Sequence, residues 1–205
     1  MRGALSVMFA FILATAAQAA DLSVTVKSAQ GRPVADAVVS VYPNAAYDKT
    51  RIRFPWPYKV SQHNMAFDPF VLIVPMGAEV TFPNQDTVRH HVYSFSPAKT
   101  FELKLYGQDE TRAVRFDKAG VVALGCNIHD QMSAFIVVVD TPFAAKTDAR
   151  GVAVLRGLPG DQARVQVWHP YAKAKGNLVS QSTALAPGQL TVTLDVRPAL
   201  KRGAY

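Results

Sequence analysis

Cys126 is the only cysteine in the 205-residue chain, and it lies in the stretch GCNIHDQM. His129 follows it after two intervening residues, and Met132 follows His129 at the same spacing. Thiolate and thioether sulfur are soft ligands and imidazole is borderline, so these donors favour copper over magnesium, calcium or manganese. Zinc would normally require more thiolates, or a carboxylate or water in the fourth position. The alternative is that Cys126 is a small hydrophobic core residue, as most buried free cysteines are.

One more imidazole would complete a known kind of site. Two histidines, one cysteine and a weakly bound axial methionine form the electron-transfer copper centre. The upstream stretch RHHVYSF offers His90 and His91. Adjacent residues of a strand point to opposite faces, so we expect only one of the two to reach the metal, and strand parity does not say which. His63 and His169 are interpreted as solvated or hydrogen-bonded histidines.

The segments that must position these donors alternate with a period of two, as in LSVTVKS, TFELKLYG, ARVQVWHP and LTVTLDV. Such runs recur along the chain and are separated by Gly, Pro, Asn and Asp, a pattern typical of a β-sandwich or barrel. The sequence therefore predicts an all-β fold. A short loop between the strands GVVALG and SAFIVVVD could bring Cys126, His129 and Met132 together.

Three stretches resemble the cupredoxins, the family of small copper proteins that includes plastocyanin and amicyanin. They are VLIVPMGAEVTFPNQD, RHHVYSF and GVVALGCNIHDQM. The first carries the family's valine, glycine, valine, phenylalanine and asparagine pattern at Val74, Gly77, Val80, Phe82 and Asn84. The third has the ligand spacing of the amicyanin loop. The resemblance implies a Greek-key cupredoxin sandwich over residues 46–140, with one type 1 (blue) copper ion held by His90, Cys126, His129 and Met132.

Two positions depart from the family pattern. The residue after the upstream ligand histidine is often an asparagine that ties the ligand loops together, and here it is His91. The amicyanin loop also contains prolines, which this loop lacks. The stretches RHHVYSF, GCNIHD and WHP further resemble the cupredoxin-containing proteins labelled methylamine utilization proteins.

The flanking segments resemble a second β module. VKSAQGRPVADAVVSVYP and TDARGVAVLRGLPGDQARVQVWHP carry turn signals similar to those of the carboxypeptidase regulatory-like β-sandwich. This resemblance implies a discontinuous domain formed by residues 20–45 and 141–205, with the cupredoxin domain inserted in it or fused to it. The alternative is one continuous sandwich in which Leu22 to Lys27 is a strand of the same sheet.

The N-terminus predicts export. Arg2 precedes an apolar run, and Ala17-Gln18-Ala19 is a plausible cleavage site, so residues 1–19 are interpreted as a signal peptide. We expect a periplasmic protein with no membrane span after cleavage. The periplasm is oxidising, so the unpaired Cys126 must be buried or bound to something.

Several classes of function are disfavoured by the sequence. The 22 basic and 15 acidic residues form no basic-aromatic stripe, so no nucleic-acid partner is expected. No nucleophile elbow, paired-carboxylate arrangement or phosphate loop is present, and the four donors leave no open coordination position for a substrate. We therefore expect no enzyme.

The leading hypothesis is a monomeric one-electron carrier whose partners, by resemblance, are a periplasmic dehydrogenase or a c-type cytochrome. The alternatives are a copper carrier or store without redox turnover, and a cell-envelope β-sandwich interaction module with a degenerate copper site.

Overall fold

The alternating runs fold as antiparallel and parallel strands in a computed structural model that describes residues 19–197. Sixteen strands and one short 3-10 turn, Lys175–Asn177, make up its regular structure, which confirms the predicted all-β fold. The predicted signal peptide falls outside the described residues, apart from residue 19. Among the residues described, no helix has the length and apolar character needed to cross a membrane.

The first eight strands are β1 (Ala20–Lys27), β2 (Val38–Pro43), β3 (Ser61–His63), β4 (Ala66–Asp68), β5 (Val71–Pro75), β6 (Ala78–Pro83), β7 (His90–Ser96) and β8 (Lys99–Tyr106). The other eight are β9 (Thr111–Phe116), β10 (Gly120–Gly125), β11 (Ser133–Val139), β12 (Ala144–Lys146), β13 (Val152–Leu158), β14 (Gln162–Trp168), β15 (Leu178–Ala184) and β16 (Gln189–Thr193).

Strands from the two ends of the chain form one sandwich. One sheet has the order β13-β1-β16 and the other has the order β12-β2-β14-β15. Because side chains alternate between the faces of a strand, Leu22, Val24 and Val26 of β1 all enter the core between these sheets, where they meet Val165 and Val192. β1 therefore pairs with strands from the C-terminal segment and not with the sheet that carries the cysteine loop.

The middle of the chain forms a second sandwich. A five-stranded sheet with the order β5-β11-β10-β7-β8 faces the β6-β9 pair, and β3 and β4 form a separate hairpin. The core between them contains Phe82, Phe116 and Ile136. The limits of the two predicted domains, 46 and 140, stay a prediction.

β11 is buried on both faces, which explains why its sequence SAFIVVV shows no polar alternation. Ile136 and Val138 enter the core of the central sandwich. Val137 and Val139 point the other way, into a third apolar cluster. There they pack with Val38 and Trp168 of the flanking sandwich, which is the one formed by strands from the two ends of the chain. This apolar contact joins the two sandwiches.

The expected alternation of TFELKLYG is wrong at its C-terminal end. Leu105 is exposed, whereas Tyr106 is buried and its hydroxyl donates to the carbonyl of Phe82 at 2.9 Å. The cause is a register irregularity between β7 and β8, where His90 is opposite Tyr106 but Val92 is opposite Leu103. An extra residue on one strand reverses the faces of the side chains beyond it.

Candidate metal centre

The five-stranded sheet of the middle of the chain, called the central sheet below, brings the predicted donors to one end of three neighbouring strands. β10 ends at Gly125, just before Cys126, and β11 begins at Ser133, just after Met132. β7, which lies on the other side of β10, begins with His90. The β10–β11 loop therefore lies beside the start of β7, and residues far apart in the sequence become neighbours.

Three of the predicted ligands converge. Sγ of Cys126 lies 3.9 Å from Nδ1 of His90 and 3.9 Å from Nδ1 of His129. One donor atom from each of the three residues lies within 4.8 Å of the others, an arrangement that could hold a metal ion. In zinc sites, thiolate sulfur and imidazole nitrogen lie about 2.3 and 2.0–2.1 Å from the ion, so a sulfur and a nitrogen that share one ion are at most about 4.4 Å apart. Both sulfur–nitrogen distances fit that limit.

The cluster is shielded from solvent on the His90 side and more open at His129. His90 is 0% exposed and Cys126 is 3% exposed, whereas His129 is half-buried. Met132 is buried in the same apolar core as Cys126, and its backbone N–H donates to the carbonyl of His129 at 2.9 Å. That bond closes the loop. The role of these four residues as metal ligands, including Met132 as axial ligand, stays a prediction.

Asp86 is hydrogen-bonded to His90 on the side of the ring away from the cysteine. Its Oδ2 lies 2.6 Å from Nε2 of His90. Burial alone would raise the pKa of the Asp86 carboxyl, but hydrogen bonds from His90, Met65 and Asn64 outweigh burial and hold that pKa below its usual range. An ionised carboxylate only accepts hydrogen bonds, so Nε2 of His90 carries a hydrogen, and Nδ1 is the ring nitrogen that faces Cys126.

The adjacent His91 points to the opposite face of β7. Its Nε2 lies 2.8 Å from Oε1 of Glu102, and its Nδ1 is buried with no hydrogen-bond partner among the described residues. His91 therefore does not join Cys126. His63 is exposed on the β3–β4 hairpin and His169 lies in the flanking sandwich, so both are outside the cluster.

Asn84 shapes the loop that leads to His90. Its side-chain oxygen accepts from the N–H of Asp86 at 2.9 Å. Its amide nitrogen donates to the carbonyls of Val88 and Tyr106 at 2.9 and 3.1 Å. From the sequence, Asn84 is expected only as part of a family pattern, and no role is predicted for Asp86. An acidic residue four positions before a candidate ligand histidine was the signal available.

Solved structures with similar architecture include copper proteins. A novel purple cupredoxin from Nitrosopumilus maritimus is 20% identical, with 40% of this chain and 98% of that chain covered, at a TM-score of 0.36. A copper-containing nitrite reductase from Thermus scotoductus SA-01 is 27% identical, with 47% and 25% covered, at 0.39. A reduced Cu(I) form of an amicyanin variant is 17% identical, with 49% and 98% covered, at 0.38. No protein-family model and no curated protein matches the sequence.

Proposed function

We propose that this protein is an electron carrier in which His90, Cys126, His129 and Met132 hold one type 1 copper ion, as in cupredoxins. The observation that carries the proposal is the position of the Cys126 sulfur, 3.9 Å from Nδ1 of each of the two histidines. Copper, when bound, supplies a one-electron couple between its Cu(I) and Cu(II) states. The soft and borderline donors present here are suited to both states.

The task of the chain is to keep these donors in place whichever state is bound. His90 begins a strand of the central sheet, and its ring is held by Asp86. The cysteine loop is fixed at both ends by paired strands, with Gly125 opposite Ser133 across the β10–β11 ladder. Donors that cannot rearrange keep the energy of reorganisation on electron transfer low.

His129 is proposed to lie on the route by which electrons enter and leave. It is the least buried of the three clustered donors, and the side chain of the preceding Ile128 is 48% exposed. A partner that docks over this loop would approach the cluster more closely than one docking elsewhere on the central sandwich. Redox encounters of this kind typically bury small areas and are short-lived.

The setting is proposed from the sequence. We infer an exported, periplasmic, monomeric protein without a catalytic reaction of its own, whose partners are a dehydrogenase or a c-type cytochrome. A role in methylamine oxidation follows only from the resemblance described above. The excess of basic over acidic residues, 22 against 15, favours an acidic partner surface. The flanking sandwich is proposed to be a carboxypeptidase regulatory-like module that acts as a spacer or docking surface.

Copper loading of the purified chain, without residues 1–19, tests the proposal. We expect stoichiometric Cu(II) to produce an intense visible thiolate-to-copper band that is absent in Cys126→Ser. We also expect fast, reversible one-electron cyclic voltammetry. A protein that stays colourless and gains no thermal stability with copper would refute copper binding, because a ligand specific for the native state must stabilise it. Tight Cu(I) binding with irreversible voltammetry would instead indicate carriage or storage.

A further inference from the structure

The Asp86 carboxylate is shared between the candidate metal centre and the tip of the β3–β4 hairpin. Oδ2 accepts from Nε2 of His90 at 2.6 Å and from the backbone N–H of Met65 at 3.0 Å. Oδ1 accepts from the backbone N–H of Asn64 at 2.6 Å. One carboxylate thus connects a predicted ligand with a segment more than twenty residues upstream of it.

The hairpin is a fixed support and not a free loop. Asn64 and Met65 both have positive φ, 52° and 53°, as a two-residue type I′ turn requires. The strand before the turn is anchored by Gln62, which is 0% exposed. Its side-chain amide donates to the carbonyl of Pro83 at 3.2 Å, and its backbone carbonyl accepts from the N–H of Gln85. The turn therefore presents its two N–H groups to Asp86 from a defined position.

We propose that Asp86 is a positioning residue: held by the hairpin tip, it fixes the His90 ring with its hydrogen on Nε2 and its Nδ1 lone pair facing Cys126. This inference rests on the proposed function for its consequence, metal binding, but not for its geometry. A histidine ligand commonly donates its second N–H to a carboxylate, which orients the ring and raises its basicity. Here the same carboxylate is itself oriented by two backbone donors, so the hairpin tip acts on His90 through Asp86.

The competing interpretation is that Asp86 only caps the hairpin turn and that its contact with His90 has no consequence for metal binding. The chain offers a matched control for this choice. Glu102 binds Nε2 of the neighbouring His91 at 2.8 Å, on the opposite face of the same strand, and its partner histidine is outside the cluster. Removing either carboxylate deletes one imidazole–carboxylate hydrogen bond. Only the bond of Asp86 is made to a histidine that lies beside Cys126.

The first measurement uses the metal-free protein and ¹⁵N-resolved NMR of the histidine rings. In wild type we expect a His90 hydrogen on Nε2 that is shifted downfield and protected from exchange with solvent, and no hydrogen on Nδ1. The protected signal should disappear in Asp86→Ala and persist in Glu102→Ala. A wild-type His90 with its hydrogen on Nδ1, or with an Nε2 hydrogen that exchanges rapidly, overturns the proposal even if Asp86→Ala does not fold.

The second measurement is Cu(I) affinity by competition with a chromogenic chelator. Loss of a supporting contact typically weakens metal binding by about 10–100-fold, so we expect that loss for Asp86→Ala and less than about threefold for Glu102→Ala. Asp86→Glu, which retains a carboxylate, should recover part of the affinity. If Asp86→Ala lowers the melting temperature but leaves affinity unchanged, Asp86 is only a turn cap. If wild type binds no copper, the proposed function fails, whereas the NMR result still decides the geometry.

Discussion

The ring of Tyr93 lies over Gly125, the residue that immediately precedes Cys126. A Cβ atom added at Gly125 would lie 2.7 Å from Cζ of Tyr93 and 2.8 Å from its hydroxyl oxygen. Gly125 and Tyr93 are also paired across the β10–β7 ladder. β10, which ends just before the cysteine, can approach β7 in this way because residue 125 has no side chain.

Gly125→Ala should therefore be destabilising. We expect a loss of about 1–3 kcal/mol in the free energy of unfolding, because an added methyl group must displace the Tyr93 ring. Urea denaturation measures the change, and combining the substitution with Tyr93→Ala should recover part of it in a double-mutant cycle. Gly107→Ala is the control, since its Cβ would meet only Oε1 of Glu110 at 3.5 Å. Equal effects at the two glycines would contradict the interpretation.

The two adjacent histidines should behave differently. His90→Ala should weaken copper binding by more than the roughly 100-fold that loss of a mere supporting contact costs, because it removes a proposed ligand. His91→Ala should retain the affinity and the visible band, since its ring faces Glu102. Chelator competition and absorption spectra measure both. The reverse outcome would assign the ligand to His91.

A substitution at Met132 can distinguish axial ligation of the metal from packing in the core. Met132→Leu conserves volume in the buried core, so the free energy of unfolding should change by less than about 1.5 kcal/mol. If Met132 is the weak axial ligand, copper should still bind while the reduction potential and the visible spectrum shift. An unchanged potential and spectrum would show that Met132 only fills the core.

The hairpin turn predicts a stabilising substitution. Met65 has φ of 53° and a side chain that is 41% exposed, so Met65→Gly should relieve left-handed backbone strain at little cost in packing. We expect a gain of up to about 1 kcal/mol, since the strain slightly exceeds the entropic cost of glycine. Thermal unfolding measures it. Met76→Gly is the control: Met76 is 53% exposed but does not have a positive φ, and its replacement should destabilise.

His169 makes stability depend on pH in the flanking sandwich. Burial lowers the pKa of His169 from its usual 6.5, although the Asp36 carboxylate and the Ala35 backbone act in the opposite direction. The unfolded chain therefore binds the proton more tightly than the folded protein does. The free energy of unfolding is highest above pH 6.5 and decreases as the pH falls through the lower folded pKa. Urea denaturation between about pH 7 and 5 should show this slope, reduced in His169→Gln.

The β8 strand shows where the sequence was misleading. Its period-two pattern puts Leu105 on the same face as Leu103 and Tyr106 on the other. The register irregularity between His90 and Val92 changes this, so that Leu105 is exposed and Tyr106 is buried. A bulge reverses the face to which the following side chains point, but the order of apolar and polar residues stays the same. Alternation within one strand therefore does not reveal a bulge. The unbroken apolar run of β11 is likewise explained only by the packing of a second sandwich on its outer face.

By itself the sequence determined the all-β class, because alternation with period two is a local property of each strand. It also determined the spacing of Cys126, His129 and Met132, because one short loop contains all three. Strand parity left His90 and His91 open and the resemblance implied His90, but only the tertiary structure shows His90, and not His91, beside the sulfur. Only the tertiary structure shows that Asp86 contacts the other nitrogen of the His90 ring. Neighbouring residues of a strand face opposite ways, and which of them faces a given loop depends on register between strands distant in the chain.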